Sequence, residues 1–356
     1  MDNINPLSME DFIHNGPLTE IARDINRLKK QMREQALMPL FTPLVPSGDT
    51  TGAKDTYNIK AAIDNAITFS ATTVVLGSGL FYISSTLYIS ESNVKLVGQG
   101  EGFDSTHYAT CIKWVGSAGG TMLEIAPISP YGHHLQHNGV NGIFWNGNNS
   151  AAIGINLLST NYGYYNIVGE EFTTSLVNMS QVQYALTPWR NCQFNTISII
   201  GTCYASNGSI LKLGGTSVPD ISNTSHNMFP RIDAFYGYGG TGGAAVDIGA
   251  ADNNLFGLLR LWKAAGTNHT AVGLLLRASS VQYLDNYYNR FEYVQACSDS
   301  NGFGGGVWAQ GTETETWPSY GNGIRHLDQA NCGSAYPPVT IGTGASLAYE
   351  GDAFHV

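Results

Sequence analysis

Charge is scarce in this chain of 356 residues. Asp, Glu, Lys and Arg together make up 12% of it and leave a formal net charge of −10. A nucleic-acid binder needs a basic face that displaces counterions, so the acidic balance excludes that class. Long apolar runs are missing as well. None approaches the roughly 18 residues of a membrane-spanning helix, and no membrane insertion is expected. Cysteine is sparse and odd in number: Cys111, Cys192, Cys203, Cys297 and Cys332, none in CxxC spacing. Neither a disulfide framework nor a thiolate metal site fits that pattern, so reduced, buried and unreactive thiols are expected. The opening stretch, MDNINPLSMEDF, lacks the basic-then-apolar plan of a signal peptide, which predicts synthesis and folding in a cytoplasm. No cofactor is expected, and no metal site.

Glycine and tyrosine are plentiful instead, with 42 and 19 copies, and apolar residues make up 43%. That excludes wholesale disorder and suits many tight turns between stacked strands. A repeat is legible. Asn227 is followed by Phe229 and Ile232, Asn254 by Phe256 and Leu259, and Asn289 by Phe291 and Val294. The same asparagine-then-apolar spacing, at +2 and +5, recurs at Asn138 (Val140, Ile143), Asn195 (Ile197, Ile200) and Asn322 (Ile324, Leu327). Asn166 begins a seventh copy that Glu171 breaks at +5. The steps between these asparagines are 28, 29, 32, 27, 35 and 33 residues, a period typical of a stacked repeat.

A second marker interleaves with the first. It is an apolar–variable–apolar triplet: Leu123/Ile125, Ile153/Ile155, Val177/Met179, Leu211/Leu213, Val246/Ile248, Val272/Leu274, Val307/Ala309 and Val339/Ile341. Two short period-2 runs per repeat, split by turn residues, mean strands. Each repeat then forms one coil that hydrogen-bonds to the next about 4.8 Å away. The +2 and +5 residues stack inside the tube, and the asparagines form an amide ladder at a corner.

Residues 17–37 differ from all this. Leu18, Ile21, Ile25, Leu28 and Met32 step by 3, 4, 3, 4, the seam of a coiled coil, with Pro17 at the helix start. Pro39, Pro43 and Pro46 predict a stiff linker. The division expected is an oligomerisation and attachment arm over 1–45 and a stacked domain over 46–356, although a helix packed on its own domain is the alternative for the arm.

After the linker come an amphipathic helix (Ile59, Ala62, Ile63, Ala66, Ile67) and strands at Thr73–Leu76, Phe81–Ser84, Leu87–Ile89 and Val94–Val97. Asp55, Ala61-Ala62-Ile63, Val74-Val75, Gly79, Phe81, Ile83, Leu87, Ile89, Val94, Leu96, Gly98 and Gly100 resemble the opening of the pectate-lyase-like parallel β-helix proteins, phage tailspikes above all. Gly77-Ser78 stands where that family usually has a proline before its glycine turn. The resemblance covers about 50–356. It implies an all-β fold, a right-handed single-stranded parallel β-helix with an N-terminal cap helix, preceded by the α-helical arm. It also implies a homotrimer assembled in a host cytoplasm into the virion. The far end of such a stack needs shielding, and the tail after Pro337-Pro338 is the candidate.

If +5 points inward, +6 points outward. Asp233, Arg260, Gln295 and Asp328 then form one outer stripe, beside Arg231, Glu292, Tyr293, Arg325 and His326. A second outer line runs Glu124, Gly154, Asn178, Lys212, Asp247, Gly273, Trp308, Thr340. Glycoside hydrolysis needs two carboxyl groups about 5 Å or about 6.5–9.5 Å apart. Asp233 with Glu292 is the first pair, and Asp328 is the alternate partner. Arg260, Arg231, Tyr293, His326, Trp317 and Tyr320 are the candidate sugar contacts. In a lyase, the arginines would neutralise a uronate while His326 or Tyr293 acted as base. A solvated Asp–Arg ladder without chemistry is the plain alternative. His133, His134 and His137 in YGHHLQH lack an acidic or thiolate partner and suit a turn better than a metal. Glu170-Glu171 suits a bulge.

These readings predict a phage virion protein that binds and cleaves a host surface polysaccharide. The partners expected are further copies of the chain, other virion proteins through residues 1–45, and the host glycan. The alternative is a non-catalytic virion component, such as a capsid decoration, a fibre or a tail adaptor.

Overall fold

The computed structural model describes residues 42–68, 72–102, 106–128, 134–180, 192–203, 208–214, 224–236, 243–263, 271–278, 286–298, 303, 305–312, 318–330, 332 and 339–349. The coiled-coil seam over 17–37 and Trp317 lie outside these residues. Pro43 and Pro46 lie within them and are already part of the stack. Leu44 forms a parallel bridge with Leu76, and its N–H reaches the Val75 carbonyl at 2.9 Å.

The chain winds in coils, and the strands named pair in parallel. Among the described residues they make a long sheet of fourteen strands, a second sheet of nine and a short sheet of five. This is the arrangement of a parallel β-helix. The one described helix, Ala53–Thr68, begins after Asp49, whose carboxylate accepts the Thr51 and Lys54 N–H groups. Ile59, Ile63 and Ala66 are buried against the first coil, so the helix covers that open end. Asp55 is fully buried and ties helix to coil by accepting the Ser47 and Tyr82 N–H groups at 2.8 and 3.0 Å. At the opposite end, the described residues that follow Pro338 form strands in place of a matching lid. Val339–Ile341 and Leu347–Tyr349 pair with Gly305–Ala309 and Asn322–Ile324, adding one more coil. Ile341 and Tyr349 remain exposed on it.

The asparagine ladder forms at the corner where each coil enters the long sheet. Asn195, Asn227, Asn254, Asn289 and Asn322 are buried. In each step the Oδ1 of one accepts both the N–H and the Nδ2–H of its predecessor, at 2.9–3.2 Å. Each Nδ2 also reaches a carbonyl in the coil before, Thr160, Cys192, Thr224, Ala251 and Asn286 in turn. Backbone groups at a buried corner cannot reach water, and a side-chain amide is the group that can give and take at once.

Asn166 is not a member. Gly163 occupies its coil's ladder position and donates its N–H to Asn195 at 2.8 Å. Asn166 lies three residues on, paired in register with Ser198, and its amide donates to Glu101.

Inside, Phe229, Phe256 and Phe291 stack with centroids 4.6 and 4.5 Å apart, nearly parallel. The +5 rule holds for the later coils, where Ile232, Leu259 and Val294 are buried in register. It fails at Asn195. A register shift between Thr196 and Ile199 pairs Ile199 with Ile232 and turns Ile200 to the outer column beside Asp233. The second marker needs two matching corrections. Ile155/Leu157 and Leu274/Leu276 are the paired inner residues, so Asn156 and Leu275, not Gly154 and Gly273, hold the outer line. The contiguous apolar runs IGINLL and VGLLL allow both frames, and only pairing with the neighbours chooses one.

Candidate functional site

Register places nine residues in one column on the outer face of the long sheet: Leu80, Cys111, Phe144, Val168, Ile200, Asp233, Arg260, Gln295 and Asp328. The first five are apolar, and Cys111, Phe144 and Val168 are buried. The last four are polar. The character of the face therefore changes between Ile200 and Asp233.

Asp233 is the centre of the polar half. Arg260 grips its carboxylate with two parallel bonds, Nε to Oδ1 at 2.7 Å and Nη2 to Oδ2 at 2.6 Å. Arg231, two residues earlier on the same strand, adds Nε to Oδ2 at 2.7 Å and a second contact through Nη2. The carboxylate is almost fully buried while both arginines stay about half exposed. Burial opposes ionisation of Asp233, but the hydrogen bonds and charges of Arg260 and Arg231 outweigh it, and its pKa lies below the usual carboxylate value. Such a group is a fixed anion that orients two guanidinium groups. It is a poor proton donor.

The pKa direction gives a pH prediction. A depressed pKa means that the cluster stabilises the fold above the unfolded-state value near 3.9, and that this contribution is lost as pH falls further. The melting temperature is expected to drop below about pH 4. Asp233→Asn should flatten that drop in a thermal-shift series, and an unaltered profile would remove the cluster from the account.

Beyond Asp233 the same strands continue outward at +8, in the register Phe235, Trp262, Cys297. Phe235 and Trp262 are exposed, and with Asp233, Arg260 and Gln295 they line a cleft of about 260 Å³. Phe235 opens the aromatic-rich stretch FYGYGGTGG, which in sequence already suits a sugar contact, whereas Trp262 lies two residues beyond the +6 stripe, where the period-2 alternation reaches it.

Asp328, Tyr293 and His326 form a second group that meets the cleft at Gln295. Asp328 accepts from Gln295 Nε2 at 3.1 Å and from the Tyr293 hydroxyl at 3.4 Å. Burial first and the Asp328 charge second raise the Tyr293 pKa, which disfavours its phenolate. His326 stacks on Tyr293 with centroids 4.8 Å apart. Glu292 is exposed and pairs with Arg325 at 3.0 Å. Tyr320 is remote from this face, stacked on Tyr287 near the asparagine corner at 5.5 Å.

The carboxylates are widely spaced. With about 4.8 Å per coil and about 3.3 Å per residue, the backbones of Asp233 and Glu292 are roughly 14 Å apart, and those of Glu292 and Asp328 roughly 11 Å. Asp233 and Asp328 share the column at three coils' distance.

The second sheet's outer line is held together by its own bonds. Asn178 donates to Asn156 at 2.7 Å and Asn156 to Glu124 at 3.0 Å, while Arg277 clamps Asp247 at 2.5 and 2.8 Å. The thiols suit structural roles: burial pushes Cys111 and Cys332 up to about 12 and Cys192 up to about 11. Glu171 has a left-handed backbone (φ 65°) and Glu170 accepts from Asn146 at 3.2 Å, so the acidic pair marks a turn.

No protein-family model and no curated protein matches the chain. Among solved structures, the Geobacillus virus E2 protein ORF18 is similar in fold, with a TM-score of 0.50 at 15% identity. The match covers 82% of this chain and 58% of the viral one, so the chain spans less than two thirds of that protein. An alginate lyase from Paenibacillus sp. strain FPU-7 aligns over 84% of this chain and 97% of its own, at 13% identity and a TM-score of 0.41. The A-module of the Azotobacter vinelandii mannuronan C-5 epimerase AlgE6 aligns over 82% and 95%, at 14% and 0.29. The last two superpositions are too loose to inform the site.

Proposed function

We propose that this chain is a phage virion protein of tailspike type that binds host surface polysaccharide along the outer face of its late coils and cleaves it. In this reading it is a homotrimer, attached to other virion proteins through residues 1–45. One observation carries the binding: two exposed aromatic rings, Phe235 and Trp262, adjoin the arginine-clamped Asp233 around one cleft. A sugar ring offers an apolar face to such rings and hydroxyl groups to fixed guanidinium and carboxylate groups. The stacked sheet holds these groups on a rigid support, so little order is lost on binding. The phage assignment rests on the resemblance of the opening coils to tailspikes and on a fold shared with a viral protein.

A second reading, binding without cleavage, is favoured by the partners of the first carboxyl pair. Arg260 and Arg231 hold Asp233 as an anion and Arg325 pairs with Glu292, so neither is set up as the proton donor that hydrolysis needs. Incubation with host capsule or lipopolysaccharide separates the two. New reducing ends report hydrolysis, and absorbance near 235 nm reports the unsaturated product of elimination. If cleavage occurs, Asp233→Asn, Glu292→Gln and an Asp328→Asn variant identify the groups that carry it. Binding itself is tested by Trp262→Ala, which is expected to weaken polysaccharide affinity by about tenfold or more, near 1.4 kcal/mol, with melting nearly unchanged. Unaltered affinity would place the glycan elsewhere.

A further inference from the structure

The corner outside the asparagine ladder has a feature that the glycan reading does not use. The residue before each ladder position adopts a left-handed backbone: His137, Tyr162, Phe194, His226, Asn253, Tyr288 and Gly321, with φ between 53° and 64°. Asparagine, histidine and glycine tolerate this conformation, but Tyr162, Phe194 and Tyr288 adopt it against their own preference. Strain kept at successive coils points to a use for the side chains it displays. Four of them form an external stack, His137 on Tyr162 at 5.7 Å, Tyr162 on Phe194 at 5.2 Å and Phe194 on His226 at 5.5 Å.

A parallel column lies two residues on, at the start of the long strands: Gly139, Tyr164, Thr196, Met228, Leu255, Arg290 and Gly323. Together the two columns present Tyr162, Tyr164, Phe194, Met228, Leu255 and Tyr288, each between 41% and 61% exposed. The strip is continuous over five coils, roughly 20 Å at about 4.8 Å per coil. Scattered exposed apolar residues are ordinary, but a contiguous rigid strip marks a contact surface.

We infer that this aromatic corner is a self-association seam, covered by a second copy of the same chain, an assignment that rests on the homotrimer reading and names the surface it would use. Three observations choose that occupant. The rings of the stack lie on one another, so the faces that a sugar would stack on are taken up within the stack. The two columns contain one arginine and no acid, in a chain of net charge −10, so copies that repel elsewhere meet here without an acidic clash. The exposed halves of six large side chains amount to roughly 600 Å² per copy, near the ~800 Å² per partner of a stable interface. The seam lies at the start of the long strands and the glycan cleft near their end, so the two surfaces are separable.

Sedimentation of the full chain over a concentration series tests the seam. The parent protein should be oligomeric at micromolar concentration. Tyr162→Asn combined with Phe194→Asn places a residue suited to the left-handed backbone at both positions, so the coils should melt no lower. The association constant should nevertheless fall by about 100-fold. Met228→Gln with Leu255→Gln, on ordinary strand backbone, should weaken association in the same direction and decides the matter if the first pair does not fold. A monomeric parent overturns the seam, as does an unchanged mass distribution in a folded variant. Retained mass with lost polysaccharide binding would give the corner to the glycan instead. Trp262→Ala should leave the mass unchanged, so failure of the cleft and failure of the seam give different results.

Discussion

Phe256→Ala is expected to lower stability by about 5 kcal/mol, at the upper end of the range for emptying a buried phenylalanine site. Phe256 is fully buried between Phe229 and Phe291, stacked on both at centroid distances of 4.6 and 4.5 Å. Its loss removes burial energy and two ring contacts, each about 0.5–1.5 kcal/mol beyond the buried area. Relaxation offsets little of this. The spacing of the coils is set by backbone hydrogen bonds on either side, so the neighbouring rings cannot close a gap of one full layer. Phe256→Leu, which fills most of that layer, should cost roughly half as much or less. Denaturant midpoints with unchanged slopes measure both. A loss under about 1 kcal/mol for the alanine variant would mean that the three rings do not form a shared column.

Asn254→Ala is expected to cost about 4 kcal/mol, although the side chain is small. The Asn254 carboxamide accepts from the Asn227 N–H at 2.9 Å and donates to the Thr224 carbonyl at 2.9 Å. Asn254 is fully buried, and each group left there without a partner costs about 1–3 kcal/mol. Asn166→Ala is the informative control. Its amide bonds to Glu101 and Asn141 on the outer side of the strand, where water can replace the lost contacts, so its cost should stay under about 1 kcal/mol. Equal losses at the two positions would contradict the ladder as described. Read from sequence spacing alone, both asparagines open a copy of the repeat, and only Glu171 at +5 sets Asn166 apart.

That pair shows where the repeat was legible and where it was not. The later coils, from Asn227 to Asn322, carry the asparagine and its +2 and +5 followers without interruption, and the structure stacks them in that frame. At the coils of Gly163 and Asn195 the frame slips. Gly163 carries no side chain to mark the corner, and the ladder survives there through a backbone N–H. The shift between Thr196 and Ile199 hides inside the run ISII, where the adjacent Ile199 and Ile200 are each apolar enough for the inner face. Periodicity is informative only when inner and outer residues differ in kind, and here Val168 and Ile200 put apolar residues on the outer face as well.

The candidate site divides in the same way. The order Asp233, Arg260, Gln295, Asp328 could be counted from the asparagines, because register in a parallel stack follows from equal offsets. Which of the four are engaged with one another could not. Arg231 and Arg260 both turn onto Asp233, so its carboxylate is an anchored anion. Glu292, equally acidic in sequence, stands in solvent with Arg325. The left-handed column of His137, Tyr162, Phe194, His226 and Tyr288 had a signal in its fixed place before each ladder position, but nothing in the sequence says that this place is a turn with positive φ.

The sequence by itself determined the coil. A buried amide once per turn and apolar residues at constant offsets leave the backbone few other ways to satisfy its hydrogen bonds and bury its side chains together. The tertiary structure alone decided which side chains meet across coils, because long side chains such as arginine choose among several partners within reach. That choice depends on distances between coils about thirty residues apart in the chain, and no local pattern carries it.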